Sequence, residues 1–512
     1  MVSFTAAASV LVLLASTANA SYEMIANYEP QSQVTDHNAI DLDQEAMENQ
    51  LALANEEAYA NALAIYSLGA HSKSSAKVTL VSPLASAATK GTKVTGRNAD
   101  GNQVVGKLYE DVASGATEVL IQYQTSDIQK SYVTCQVGAS QAPMTDGCFE
   151  ASGTVDIDGI GEDLSYTYDV LTDNINKRSI QGFSTGAQKK MAECDNCPYK
   201  MYQQFYNYYG QYDYANQIVL AAFSGSKTNF DNFNNDFGLY GFDGKEQVIK
   251  KATSYIVIWM YVIREMEDAL DDCQEACTIE NCNDDPVHAW DEGVAFYTGT
   301  LEGPDGSGSG KLPYALADKR CPNFKTCGDM GDETTGDSHV NIEIMKQFAI
   351  GQSKLVQGQC DSAREQKETI EELMLVPLIQ GTIRYAWKTD NEGYSEKAEA
   401  EGLVFAAAVL PAVHECDPDA AKTIADNLQA GQAGTANSAD VKAAFESTYE
   451  CMNVNPEHVG GLYDAASADY FEGAEPMGYT ASNDSGAATT AATTFTAAAV
   501  VVVALTSLFI VV

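Results

Sequence analysis

One segment constrains the rest of the chain: KEQVIKKATSYIVIWMYVIREMEDALDDC, residues 245–273. It predicts one long helix whose centre, through Ile256, Val257, Ile258 and Val262, is apolar enough to be buried nearly all round. Such a helix must be wrapped by other elements, so it implies a sizeable core. Towards its end come Tyr261, Arg264, Glu265, Glu267, Asp268, Asp271 and Asp272. Asp268 follows Arg264 by four positions and Glu265 by three, so the three side chains project together. Glu265 and Asp268 therefore stand where a buried apolar helix meets something polar. Burying an unpaired carboxylate is costly, so they need a cation, an arginine or hydrogen bonds. A plain salt bridge to Arg264 and a bound cation both stay open here. Asp271 and Asp272 read as solvated helix-end charge.

The next informative stretch, HAWDEGVAFYTGTLEG, packs His288, Asp291, Glu292, Tyr297 and Glu302 into a few turns. On a helix Asp291 and Glu292, three and four residues after His288, share its face. Hard cations such as Fe(III) prefer carboxylate and phenolate oxygen, with imidazole as an occasional partner. The proposed ligand pool is Glu265, Asp268, His288, Asp291, Glu292 and Tyr297. Arg264 is the proposed anion partner, because its guanidinium fork suits carbonate in a bidentate geometry. A satisfied histidine is the competing reading of His288 taken alone; the cluster carries the case.

The chain has 71 acidic against 30 basic residues, a net charge of −41. Nucleic acid and anionic headgroups are poor partners for so negative a surface, and cations are its natural counter-ions. Residues 1–20 hold an apolar run and an A-x-A site, which predicts a secretory signal. Residues 483–512 combine small residues, a polar spacer and a hydrophobic tail. That pattern predicts a lipid-anchor signal with attachment near Asn483, a short membrane-spanning helix being the rival. Either anchor displays the protein on the outer face of the plasma membrane.

The organisation predicted is α+β: a helical segment at 21–76, a β-rich module at 77–185, a mostly helical domain at 186–460 and a stalk at 461–482. Helical periodicity from Asn38 to about Gly69 marks the first segment. KVTLVSP, NQVVGKLYE, TEVLIQY, YVTCQVG, GTVDIDG and LSYTYDV are alternating runs separated by turn residues, hence strands. DIDGIGED reads as a turn between two of them, without full calcium-loop spacing. EQKETIEELMLVPLIQGTIRYAWK is a second long helix with a kink or break at Pro377. Twelve cysteines in a secreted chain predict six disulfides, with Cys194-x-x-Cys197 a structural bridge. The tyrosine-dense stretch from Tyr199 to Gln217 reads as packing. Short echoes suggest an internal repeat: Arg264 matches Arg384, EGVAF at Glu292 matches EGLVF at Glu401, and Tyr59-Ala60-Asn61 matches Tyr214-Ala215-Asn216. No nucleophile elbow and no H-E-x-x-H pair supports catalysis.

Several segments resemble the iron-assimilation family of algae, which includes the iron-starvation-induced phytotransferrins of diatoms. They are YYGQYDYANQIVLAAFSG, IWMYVIREMEDALDDC, VHAWDEGVAFYTGTLEG, KLPYALADKRCPNFKTCG and VPLIQGTIRYAWK, in order between about Cys194 and Asn455. The resemblance implies a cell-surface carrier, not an enzyme, that binds ferric iron with carbonate as synergistic anion. It also implies delivery by endocytosis, with endocytic or reductase partners. The ligand residues above come from residue chemistry, not from the resemblance. The rivals are an extracellular metalloenzyme of ferroxidase or peptidase-like type, and an acidic structural coat protein without a specific site.

Overall fold

The computed structural model describes residues 22–32, 34–69, 75–123, 148–159, 165–173, 179–194, 197–274, 286–432 and 435–479. The expected signal and anchor, Asn483 included, lie outside the described residues, as does the run YVTCQVG. No described helix is long and apolar enough to cross a membrane.

The fold is predominantly helical α+β. It opens with a short turn of helix, α1 (Thr35–Asn38), then α2 (Ile40–Leu51) and α3 (Glu56–Leu68). The expected single helical stretch is thus two helices. Ala54 takes a positive φ of 51°, and Asn55 starts α3 by accepting from the Ala58 N–H. These helices belong to the same hydrophobic core as the later ones, through Ile40, Met47, Leu51, Ile65 and Tyr66.

Six strands then close an antiparallel barrel in the order β1-β4-β3-β2-β5-β6. They are β1 (Ser75–Leu80), β2 (Lys93–Arg97), β3 (Gln103–Leu108), β4 (Glu118–Tyr123), β5 (Gly153–Ile157) and β6 (Ser165–Asp173). Alternation sends Val78, Val94, Leu108, Val119, Ile121, Val155 and Tyr168 into a core separate from that of the helices. Two glycines permit the closure. A Cβ at Gly96 would meet the Phe149 ring at 2.6 Å, and one at Gly106 would meet Ile121 at the same distance. DIDGIGED begins in β5, whose last residues are Asp156 and Ile157, and its second half, residues 160–163, lies outside the described residues.

The helical domain begins before residue 186. α4 (Ile180–Thr185), capped by Ser179, already buries Ile180 and Phe183 in the helical core. A π-helical turn at Gln188–Ala192 follows, then α5 (Lys200–Tyr209) and α6 (Tyr214–Ser224). Tyr202, Tyr208, Tyr209 and Tyr214 of the tyrosine-dense stretch are all buried, and Tyr209 stacks on Tyr214 at 4.9 Å. The long central helix runs as α7 (Phe242–Ala252), a π-helical stretch (Thr253–Ile258) and α8 (Trp259–Gln274). Every residue from Thr253 to Ile263 is buried, which is the wrapping its composition demands.

α9 (Pro286–Thr298) returns along α8 as an antiparallel hairpin partner. α10 (Pro313–Phe324) and α11 (His339–Val356) follow. α12 (Cys360–Asn391) runs through Pro377 without ending, so of the kink or break expected there the break is absent. It forms a second hairpin with α13 (Glu396–Cys416), followed by α14 (Pro418–Leu428), α15 (Ser438–Glu446) and α16 (Pro456–Val459). Residues beyond 460 are not a stalk as far as Met477. β7 (Tyr463–Asp464) pairs with β8 (Asp469–Tyr470), Leu462 and Ala474 are buried, and Phe471 packs on Trp387 at 4.2 Å. Four disulfides join described residues: Cys194–Cys197, Cys273–Cys360, Cys321–Cys327 and Cys416–Cys451. The second ties the end of α8 to the start of α12.

Candidate functional site

Two helical stripes face each other across the α8–α9 hairpin. On α8 the stripe is Tyr261, Arg264, Glu265 and Asp268, at spacings of three and four. On α9 it is His288, Glu292 and Phe296, each four apart. What aims the α9 stripe at α8 is packing on its other side. Trp290 buries against α11 and donates from Nε1 to the Phe348 carbonyl at 2.9 Å. A Cβ at Gly351 would meet that indole at 2.1 Å, so only glycine leaves room for it.

Arg264 holds both α8 carboxylates. Its Nη1 is 2.5 Å from Glu265 Oε2 and its Nη2 is 3.0 Å from Asp268 Oδ2. Its Nε is buried and has no hydrogen-bond partner among the described residues. Across the hairpin, Oε1 of Glu292 faces two imidazoles: His288 Nε2 at 3.1 Å and His37 Nε2 at 2.6 Å. His37 comes from α1, and its ring lies 5.9 Å from that of His288. Lys190, in the π-helical turn after α4, donates from Nζ to the Tyr261 hydroxyl. Phe183 and Phe296 enclose the Tyr261 ring at 3.9 and 5.3 Å. At the far edge the Tyr199 hydroxyl donates to Asp271 at 3.1 Å.

Burial and charge set the protonation of the cluster. Glu265 is 1% exposed. Burial pushes its carboxyl up to about 7; Arg264 opposes this, while Glu292 and Asp268 add to it. Asp268 is raised for the same reasons, burial first. Burial also works to raise Glu292, but the charge of His37 and the hydrogen bonds from His288 and His37 outweigh it. They hold Glu292 well below the usual carboxylate range. One carboxylate is thus ionised between imidazoles, while a neighbouring one holds its proton up to neutrality. Two carboxyls tuned apart in one buried cluster make it a candidate functional site.

Glu265, Asp268, His288, Glu292 and Arg264 of the expected set therefore come together. Asp291 and Tyr297 do not. Asp291 projects to the other side of α9, where it accepts from the Tyr28 hydroxyl (2.5 Å), the Gln31 N–H (2.8 Å), the Ser32 N–H and hydroxyl (2.9 and 2.8 Å) and Gln352 Nε2 (2.9 Å). It fastens the N-terminal segment to the helical core. The Tyr297 hydroxyl donates to Asn341 Oδ1 at 2.6 Å, and burial raises its pKa well above 10. A phenol so buried is a poor source of phenolate. Glu267, on the far face of α8, pairs with Lys367 at 2.5 Å and Arg364 at 3.1 Å. His37 and Lys190 are the members that sequence periodicity missed. The chain holds only 6 histidines, so His37 beside the first helical run was the available signal.

The donor set suits a hard cation: two imidazoles, three carboxyls and a phenol. As arranged, the carboxylates are taken up by Arg264 and the imidazoles by Glu292. No three His, Cys, Asp or Glu side chains among the described residues are disposed as ligands around one point. Ligation would require Arg264 to release Glu265 and Asp268, and a carbonate on the guanidinium would replace them as its counter-charge. A scan of protein-family models, a search of curated proteins and a search of solved structures each find no match.

Proposed function

We propose that this protein is a cell-surface carrier that binds ferric iron, with carbonate as co-bound anion, and delivers it for uptake without turnover. The observation that carries the reading is the convergence of His37, His288 and Glu292 beside the Glu265–Arg264–Asp268 group. Imidazole and carboxylate from three elements meet beside the packed rings of Phe183, Phe296 and Tyr261. Two features fit a carrier in particular. The unpartnered Nε–H of Arg264 is a donor ready for an anion. The proton that Glu265 keeps up to about 7 would leave on metal binding and return in an acidified compartment, so binding reverses with pH. The resemblance to the algal iron-assimilation family points the same way, as does an acidic surface.

The test is ferric titration of the purified protein against the double variant His288→Ala/Glu292→Ala, with and without bicarbonate. Tight, bicarbonate-dependent binding should be lost in the variant. Unchanged affinity would refute this choice of ligands, and turnover of ferrous iron by the wild type would refute a carrier.

A further inference from the structure

After α16 the chain folds back and builds one wall of a cleft. Gly460 turns it with a φ of 66°, at a point where a Cβ would meet the Phe324 carbonyl at 2.5 Å, so only glycine lets the backbone lie against the end of α10. The Leu462 N–H then donates to the Ala474 carbonyl at 2.8 Å and the Phe471 N–H to the Leu462 carbonyl at 2.9 Å, which fastens the β7–β8 hairpin. Phe471 packs on Trp387, and Lys325 lies 5.8 Å from the Tyr463 ring. A second wall is the loop at 328–338. It is held by the Cys321–Cys327 disulfide, by bridges from Cys327 to Glu333 and Ser338, and by Asp318, which accepts from the Ser338 N–H at 2.9 Å. The third is the end of α12, where Arg384, Trp387, Lys388 and Glu392 share one face at spacings of three and four. These walls enclose a cavity of about 420 Å³, inside the range of roughly 300–1,000 Å³ usual for small-molecule sites.

The lining joins ring faces to free polar groups. Trp387, Tyr463 and Phe471 are half-buried, so each ring shows part of its surface to the cleft. The side chains of Asn323, Thr334, Thr335 and Arg384, which also line it, make no hydrogen bond or ion pair among the described residues, and neither does the Trp387 indole N–H. Lys388 and Glu392, 2.6 Å apart, put a donor beside an acceptor. A larger cavity of about 580 Å³ differs on both counts. No aromatic ring lines it, and its Glu267, Arg364, Lys367 and Glu371 are engaged with one another. The smaller cleft matches a ligand with apolar faces and a rim of groups that both donate and accept, which is what a sugar ring and its hydroxyls present. A flat aromatic ligand would leave the amide, hydroxyl and guanidinium groups without partners, and a simple oxyanion at Arg384 would have the Glu392 carboxylate in the same cleft.

We propose that this cleft is a saccharide site, which stacks the C–H face of one pyranose ring on Trp387 and reads its hydroxyls with Asn323, Thr334, Thr335 and Arg384. The site is independent of the iron reading, since it shares no residue with the α8–α9 cluster.

Titration of the iron-free, full-length protein with sugars tests it. The probes are the α- and β-methyl glycosides of glucose, galactose, mannose and glucuronic acid, with maltose, cellobiose and lactose as disaccharides. Of the 3 tryptophans, Trp259 and Trp290 are sealed in the core, so a change in tryptophan fluorescence reports Trp387, and calorimetry gives the affinity. Saturable binding of at least one probe is expected, with a Kd of about 1 mM or tighter. Trp387→Ala should weaken it about tenfold or more, the usual effect of truncating an aromatic anchor. Because Trp387 also packs on Phe471, the double variant Asn323→Ala/Thr335→Ala is the second arm. Neither side chain has a partner to lose, so its melting temperature should equal that of the wild type while sugar affinity falls about fivefold or more. His288→Ala should bind as the wild type does, and caffeine, which is flat and has no hydroxyl, should not displace the sugar. No saturable binding of any probe, wild-type affinity in the double variant, loss of binding in His288→Ala, or displacement by caffeine would each overturn the proposal.

Discussion

Nε2 of His37 lies 2.6 Å from Oε1 of Glu292, so the N-terminal segment supplies one side of the cluster on the α8–α9 hairpin. If the cluster binds iron, His37 matters as much as His288. His37→Ala should lower ferric affinity roughly 10–100-fold, the usual effect of removing a group that ligates a metal or orients a ligand. Calorimetric titration reads this directly, and wild-type affinity in the variant would remove His37 from the site.

Arg264 is held by two carboxylates through Nη1 and Nη2, with Nε left over. Withdrawing bicarbonate should weaken ferric binding by the wild type. In Arg264→Gln the titrations with and without bicarbonate should coincide, because the anion has lost its fork. Equal bicarbonate dependence in both proteins would place the anion elsewhere.

Glu265 titrates at about 7 in the folded chain against 4.5 unfolded. The folded state therefore holds a proton that the unfolded state has given up between those values. The stability this contributes is full below about 4.5 and is lost as pH rises through 7. Denaturant unfolding of the metal-free protein between about pH 5 and 7 should show wild type losing roughly 1 kcal/mol per pH unit more than Glu265→Gln. Parallel pH profiles would mean that Glu265 is ionised throughout.

Asp291 is the structural counterpart. Asp291→Ala strips the partner from five donors at once, including the N–H groups of Gln31 and Ser32. The expected loss is about 3 kcal/mol or more of unfolding free energy, with ferric affinity falling no further than in His37→Ala, because the segment that Asp291 fastens carries His37. Loss of iron binding with stability intact would return Asp291 to the ligand set.

Local periodicity was enough to find part of this cluster. Arg264, Glu265 and Asp268 share a face because helices repeat every 3.6 residues, and the same rule joins His288 to Glu292. The rule is silent on which neighbour each face meets. Asp291 lies only one residue from Glu292, yet the fit of Trp290 against Gly351 turns it towards Tyr28 and Gln352. His37 and Lys190 arrive by tertiary contacts that no short window contains. The fold shows the same division. The β-rich texture gave five of the described strands, but β2 has a single fully buried side chain, Val94, and escaped notice. Asn55 followed by two glutamates is a helix-start signal that would have split the first helical stretch. Pro377 stays inside α12, where burial of Leu375, Val376, Leu378 and Ile379 outweighs the lost hydrogen bond.

The most direct test is to locate the metal. Crystals of the iron-loaded protein, grown with bicarbonate and measured at the iron absorption edge, should show one anomalous peak bounded by His37, His288 and Glu292, with Arg264 turned away from Glu265. A peak elsewhere, or scattered weak peaks over the acidic surface with His37 and His288 still on Glu292, would contradict the account.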